Sequence, residues 1–199
     1  LLKKNLAWIL SRYHIKVLRY PEKGENIEIT TWPSVIKGIF TLREYELTAS
    51  GDKSVQATSS WMAVDIKRKR PVKIKETLPS FSPHGQRAVN DDFKSLPEVE
   101  SPDLKSRFPV LKADLDFNRH VNNAVYIQWA VETVPKEIIM DLRPTQIEVN
   151  YKNETFYGDW VISRTQKVIK VKNPRYVHQL FRESDGREIA RLRTKWADL

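Results

Sequence analysis

Residues 111–135, LKADLDFNRHVNNAVYIQWAVETVP, decide how this chain is read. In the first half Leu115 and Phe117 are apolar, while Asp114, Asp116, Asn118 and His120 fall on every second residue. Extended backbone turns successive side chains to opposite faces, so this alternation predicts a strand with four polar groups along one side. At Asn122 the period changes. Ile127, Ala130, Val131 and Val134 take the i, i+3, i+4, i+7 spacing of a helix face, with Asn122 or Asn123 as its cap and Pro135 as its stop. A carboxylate, an amide and an imidazole are thus delivered beside a helix N-terminus, where free N–H groups and the dipole favour negative charge. Such a place suits the stabilisation of an oxyanion.

At 199 residues the chain can bury a substantial core, as one domain or two small ones. A 40% hydrophobic content with 6 Gly and 11 Pro describes an ordinary globular protein. The absence of cysteine excludes disulfides, Cys-ligated metals and a thiol nucleophile, and fits a reducing compartment. No apolar run reaches the length of a membrane span. The first residue is Leu1 and the chain opens inside a periodic segment, so a preceding N-terminal segment is expected, with room for a targeting sequence. Lys and Arg number 34 against 25 Asp and Glu, a net charge of +9 that attracts acidic partners. The densest run, Lys67-Arg68-Lys69-Arg70 continued by Lys73 and Lys75, reads as a solvated strand end. Nucleic acid is disfavoured, because no recognisable binding motif or basic helix accompanies that run.

Before this stretch the chain reads as β. Residues 5–20 alternate, with Trp8, Leu10, Arg12, His14, Lys16 and Leu18 on one parity, and Pro21 and Gly24 then make a turn. Further β-runs follow at 25–36, with Pro33 marking an edge or bulge, at 39–49, and after the turn Ser50-Gly51-Asp52 at 54–67. Their spacing predicts an antiparallel sheet. Residues 68–104 change character: Pro71, Pro79, Pro83 and Pro97 among polar residues mark an interdomain connection. Behind the central stretch come runs at 145–153, 159–171, 175–183 and 188–197, separated by Gly158, Asn173-Pro174 and Asp185-Gly186. The second half is then a strand, one long buried helix and four strands. The first half is the same four-strand meander without the leading strand and helix, a tandem repeat clipped at its front.

That order, with the pattern D-x-N-x-H-V-N-N-x-x-Y-I-x-W from Asp116 to Trp129, resembles the acyl-ACP thioesterases of plants and bacteria. The likeness runs along the whole chain. In the first half it rests on Trp8 and Arg12, Tyr20-Pro21, Thr31-Trp32 and Thr58 to Trp61. The resemblance implies an α+β double hotdog, in which each repeat is an antiparallel sheet wrapped around a long helix. Residues 1–75 would be an incomplete acyl-binding repeat, 76–104 the linker and 105–199 the catalytic repeat. It implies hydrolysis of the thioester joining a fatty acyl chain to the phosphopantetheine of an acidic acyl carrier protein, with no metal or organic cofactor. It admits a homodimer, in a bacterial cytoplasm or, for a plant protein, the plastid stroma. The family's catalytic set falls on Asp116, Asn118, His120 and Glu154. Glu154 lies in Tyr151-Lys152-Asn153-Glu154-Thr155, similar to the plant pattern Y-R-R-E-C. Thr155 stands where that pattern has Cys, so a Cys/His/Asn mechanism cannot operate here, and a Thr hydroxyl is a far poorer nucleophile without its own base.

Each candidate also has a plainer reading. His120 with polar companions at i−2 and i−4 suits general-base work, whereas His14, His84 and His178, lacking such companions, are read as structural. Asn118 is either a site residue or an Asx-turn into the helix. Asp116 is either a local cap or an acid that orients the histidine. For Glu154, parity with Glu148, Asn150 and Lys152 puts it on a polar face, and a bulge near Asn153 is needed to turn it toward the site. The backbone N–H groups of Asn122, Asn123 and Ala124 are the oxyanion-hole candidates. Tyr126 and Trp129 are read as packing residues. Two rivals to carrier-protein hydrolysis remain open: a hotdog acyl-CoA thioesterase, with Asp116 alone as the principal acid or nucleophile, and a non-enzymatic acyl-ligand sensor.

Overall fold

Four strands, β1 (Leu6–Val17), β2 (Ile27–Lys37), β3 (Phe40–Ala49) and β4 (Asp52–Asp65), form an antiparallel sheet in the order β2-β3-β4-β1. The computed structural model describes residues 5–78 and 80–198; Leu1 and Pro79, both used above, lie outside the described residues. The chain divides into two compact units between Lys94 and Ser95. In the first, β3 and β4 are joined by Ser50 and Gly51, both at positive φ (51° and 91°), as a two-residue type I′ turn requires. Pro33 sits at the register shift between β2 and β3, where a missing N–H costs no ladder bond. The basic run makes an exposed turn between β4 and the short β5 (Arg70–Pro71), with the Lys67 and Arg68 N–H groups both donating to Asp65 Oδ1 at 2.9 Å. A single helical turn, α1 (Ile74–Thr77), buries Ile74.

Residues 84–94 hold no strand but lie fastened across this sheet. Glu44, wholly buried in β3, accepts from Ser34 Oγ (2.6 Å), Thr58 Oγ1 (2.9 Å), Arg87 Nε (2.9 Å) and Ala88 N (3.1 Å). Asp91 pairs with His14 at 2.6 Å, Arg12 donates to the Phe93 carbonyl, and Trp32 Nε1 donates to the Gln86 carbonyl at 2.9 Å. The His14 bond holds the Asp91 carboxyl below the usual carboxylate range. A segment without periodicity is thus ordered by side chains that satisfy its backbone.

The second unit is a five-stranded antiparallel sheet in the order β7-β10-β9-β8-β6, with α2 (Asn123–Val131) against β8, β9 and β10. This is the hotdog arrangement. Its strands are β6 (Leu104–Pro109), β7 (Arg143–Tyr151), β8 (Trp160–Lys167), β9 (Arg175–Arg182) and β10 (Glu188–Ala197). Leu180, Ile189 and Leu192 are fully buried, each worth about 1.5–3 kcal/mol by transfer. Val134, Tyr176 and Trp196 form a second cluster with Val131, Ile138, Ile139 and Leu142. His178 is fully buried between Thr165 Oγ1 (2.8 Å) and Thr194 Oγ1 (3.0 Å), a structural histidine.

Three expectations for this half need correction. The leading strand is β6, which starts at Leu104, the last residue read as connection, and not within 111–120: six residues with two charges and a terminal proline suit an edge strand and give little signal. Residues 111–120 are not extended but contain a 3-10 turn, Lys112–Asp114, followed by a hairpin loop. The helix is not one long rod either. It stops at Val131, Thr133 Oγ1 donates to the Trp129 carbonyl at 2.8 Å, and Pro135 caps a separate α3 (Lys136–Asp141). Pro135 has no N–H to continue α2, but its fixed φ suits the start of a new helix.

Candidate active site

The polar comb before α2 is a hairpin. Leu115 and Val121 form a bridge, Asp116 N donates to the His120 carbonyl at 2.8 Å, and Arg119 N donates to the Asp116 carbonyl at 3.0 Å. Arg119 takes φ 65°, the left-handed residue that closes a three-residue hairpin loop. Asp116 Oδ1 accepts from the N–H groups of Asn118 (2.8 Å) and His120 (3.1 Å). Through Oδ1 its carboxylate therefore shapes the turn that displays both residues, as a local cap does. The Asn118 side chain is exposed and makes no hydrogen bond among the described residues. Phe117, at the tip, is 94% exposed.

Asn122 ends the hairpin as the N-cap of α2, its Oδ1 accepting from Ala124 N at 2.9 Å. Its own N–H donates to the Asp114 carbonyl at 2.8 Å. Two of the three oxyanion candidates, Asn122 and Ala124, are thus already engaged; the Asn123 N–H has no acceptor among the described residues. The Asn123 carbonyl accepts from Tyr151 Oη at 2.9 Å, which ties the helix start to β7. Tyr126 meets the Tyr151 ring edge-on at 5.6 Å, and Trp129 stacks on Phe108 at 6.4 Å, so both are packing residues. Burial pushes the Tyr126 phenol up to about 12, against a weaker pull from a backbone hydrogen bond at Thr155.

Glu154 reaches this place from the loop after β7. The Lys152 and Asn153 N–H groups both donate to the Ile189 carbonyl, at 2.9 and 3.2 Å, so two residues face one and the strand alternation ends. Glu154 Oε1 then stands 3.6 Å from His120 Nδ1, with side chains 60% and 47% exposed. That distance is within ion-pair reach but too long for a hydrogen bond; catalytic contacts commonly tighten only with substrate present. An exposed pair contributes little to stability. Phe156 meets the imidazole edge-on at 5.8 Å. Thr155 is fully buried and donates its hydroxyl to Asp159 Oδ2 at 2.9 Å. Next to the loop, burial would raise the Glu188 carboxyl, but hydrogen bonds from Arg191, Lys152 and Gln179 prevail and hold it at about 2.

The structure thus brings His120 and Glu154 together and places Asn118 and Asn123 on the same hairpin and helix start. With Nδ1 facing a carboxylate, Nε2 is the nitrogen free to take a proton. Phe156 escaped the sequence reading, although its place next to Thr155 was a usable signal. Arg182, which donates to the Glu154 carbonyl at 3.0 Å, had none.

Comparison with known proteins accounts for nearly the whole chain. Residues 1–80 match the acyl-ACP thioesterase N-terminal domain, and residues 98–198 match the acyl-ACP thioesterase C-terminal domain. A chloroplastic oleoyl-acyl carrier protein thioesterase of Arabidopsis thaliana is 29% identical over 221 residues, covering 98% of this chain and 61% of its own length. A chloroplastic acyl-(acyl-carrier-protein) hydrolase of Cuphea viscosissima is 31% identical over 212 residues, covering 98% of this chain and 49% of its own length. The chain therefore spans about half to three-fifths of the curated relatives it matches. Among solved structures, the 12:0-ACP thioesterase from Umbellularia californica superposes with a TM-score of 0.85 at 25% identity, over 98% of this chain and 75% of that one. An acyl-ACP thioesterase from Bacteroides thetaiotaomicron shares the fold, with a TM-score of 0.84 at 21% identity over 99% and 79%. No helix of the described residues is long and apolar enough to cross a membrane.

Proposed function

Given that this chain belongs to the acyl-ACP thioesterase family, we propose that it hydrolyses the thioester of a fatty acyl chain carried on the phosphopantetheine of an acyl carrier protein. The observation that carries this reading is the approach of His120 Nδ1 to Glu154 Oε1, 3.6 Å, from two separate loops. Glu154 holds the imidazole so that Nε2 faces the substrate and stabilises the imidazolium that forms, the logic by which an acid orients a base. Nε2 takes a proton from water, and the water oxygen attacks the thioester carbon. The oxyanion is met by the Asn123 N–H at the start of α2 and by the Asn118 amide. Collapse of the tetrahedral intermediate breaks the C–S bond, and the imidazolium returns its proton to the departing thiolate. Free fatty acid and the carrier's thiol result. All these groups lie in the C-terminal unit, which supports assigning the acyl tail to the N-terminal one. A bacterial cytoplasm or, the plant relatives being chloroplastic, a plastid stroma fits this reaction equally.

His120→Ala tests the proposal. The chain has no cysteine, so a thiol reagent reports only the released product. Loss of a general base lowers turnover by a factor on the order of 10² or more, while the fold, which does not depend on the half-exposed imidazole, survives. Near wild-type hydrolysis by the folded variant removes His120 from the mechanism. Acyl-CoA and acyl carrier substrates compared at equal concentration separate the two thioesterase readings, and binding of acyl ligands without turnover of either favours the sensor.

A further inference from the structure

The Glu154 carboxylate is 60% exposed, and among the described residues His120 is the one group in ion-pair reach of it. A long side chain in that situation keeps its own rotamer freedom, so what the fold can fix is the backbone from which it starts. The backbone is fixed, and from a distance. Arg182, at the end of β9, donates from Nη1 to the Glu154 carbonyl at 3.0 Å. The same guanidinium engages Asp185 from Nε (3.0 Å) and Nη2 (2.6 Å), a two-pronged contact that leaves its plane one orientation. On the far side of the loop, Asp159 Oδ2 accepts from both Thr155 Oγ1 and Phe156 N at 2.9 Å. Glu154 is therefore clamped between an arginine from another strand and a buried threonine.

We propose that Arg182 is a positioning residue for Glu154, setting where its carboxylate stands against His120 Nδ1. This rests on His120 and Glu154 being the catalytic pair. The plainer role for Arg182 is a brace of the β9–β10 hairpin through Asp185. A brace affects stability; a positioning residue changes the environment of His120. Displacement of a reacting group by about 1 Å can cost on the order of 10²-fold in rate, so a bond to the backbone of one member of the pair is enough to matter.

The test uses Arg182→Gln, Arg182→Lys and Glu154→Gln, singly and with Arg182→Gln combined with Glu154→Gln. One readout is kcat and KM on the acyl carrier substrate. The other is the imidazole 15N shifts of His120 at fixed pH, assigned among the four histidines by their absence in His120→Ala. In Arg182→Gln, kcat falls about tenfold or more with KM nearly unchanged, and the His120 shifts move toward those of Glu154→Gln. Arg182→Lys, which keeps a donor, recovers most of both. On the Glu154→Gln background Arg182→Gln adds less than about twofold, since it acts through the group already removed. A folded Arg182→Gln protein with wild-type kcat and wild-type His120 shifts overturns the proposal, as does a full additional loss on the Glu154→Gln background. If Arg182→Gln does not fold, Asp185→Asn, which releases the guanidinium plane, is read by the same shifts, and an unmoved His120 again overturns it. Failure of the functional reading looks different: His120→Ala and Glu154→Gln then leave hydrolysis intact, and the His120 shifts alone decide the role of Arg182.

Discussion

Thr155 donates its hydroxyl to Asp159 Oδ2 at 2.9 Å and is wholly withdrawn from solvent. It occupies the position at which the plant pattern carries a cysteine, yet here it faces into the loop, and among the described residues its hydroxyl bonds to Asp159 and to no histidine. Thr155→Ala therefore retains most of the hydrolytic activity and loses about 1 kcal/mol of stability with the hydrogen bond. Steady-state rates and urea midpoints check this. An acyl ester trapped on Thr155 would overturn attack by water.

If the proposed function holds, the charge of +9 is expected to act on the approach of an acidic carrier and not on the chemistry. Long-range attraction toward an acidic carrier is screened over about 10 Å at 0.1 M salt. Raising ionic strength lowers kcat/KM for the acyl carrier substrate and leaves a short uncharged thioester nearly unaffected. Lys67 to Lys69 lie exposed in the β4–β5 turn, and Arg70, also exposed, opens β5. Neutralising all four positions shows whether that turn contributes: an unchanged salt slope makes it a solvated turn and nothing more. Equal salt effects on both substrates remove charge steering altogether.

His178 makes stability depend on pH. Burial drives its imidazole from the ordinary 6.5 down to about 3. The unfolded chain takes up a proton near 6.5 and the folded one does not, so this contribution is complete above pH 6.5 and is lost as pH falls toward 3. The slope approaches about 1.4 kcal/mol per pH unit within that window. Urea midpoints between pH 7 and 5, above the range where most carboxylates titrate, show the slope in the wild type and its loss in His178→Gln.

Glu44 and Arg87 hold residues 84–94 on the N-terminal sheet. Arg87→Ala leaves a fully buried carboxylate without its cation, and removing one member of a buried pair costs about 3–5 kcal/mol. Hydrogen exchange of residues 84–94 rises with it. The double change Glu44→Gln, Arg87→Met restores part of that loss, because the uncompensated charge is gone. A single variant as stable as the wild type refutes the assignment.

Much of this protein is legible in its sequence because the signals are local. The alternation in 188–197, the turn residues Ser50-Gly51 and Asp185-Gly186, and the helix spacing after Asn122 each report a backbone preference set by near neighbours. The family pattern from Asp116 to Trp129 is contiguous, so it survives in one line of text. What failed was also local, but ambiguous. Polar groups at every second position from Asp114 to His120 look the same on a strand and on a tight hairpin. The choice fell to the left-handed Arg119 and to the side chain of Asp116, which holds two backbone N–H groups. The placement of Glu154 was decided elsewhere. Its loop leaves the alternation because Lys152 and Asn153 share the Ile189 carbonyl, and it is held by Arg182; both partners come from later strands. A hydrogen bond between residues far apart in the chain has no period and no spacing to read. It exists only once the sheet has brought its strands into register, so although the resemblance named Glu154 and its parity called for a bulge near Asn153, the distance at which it faces His120 was decided by the tertiary structure.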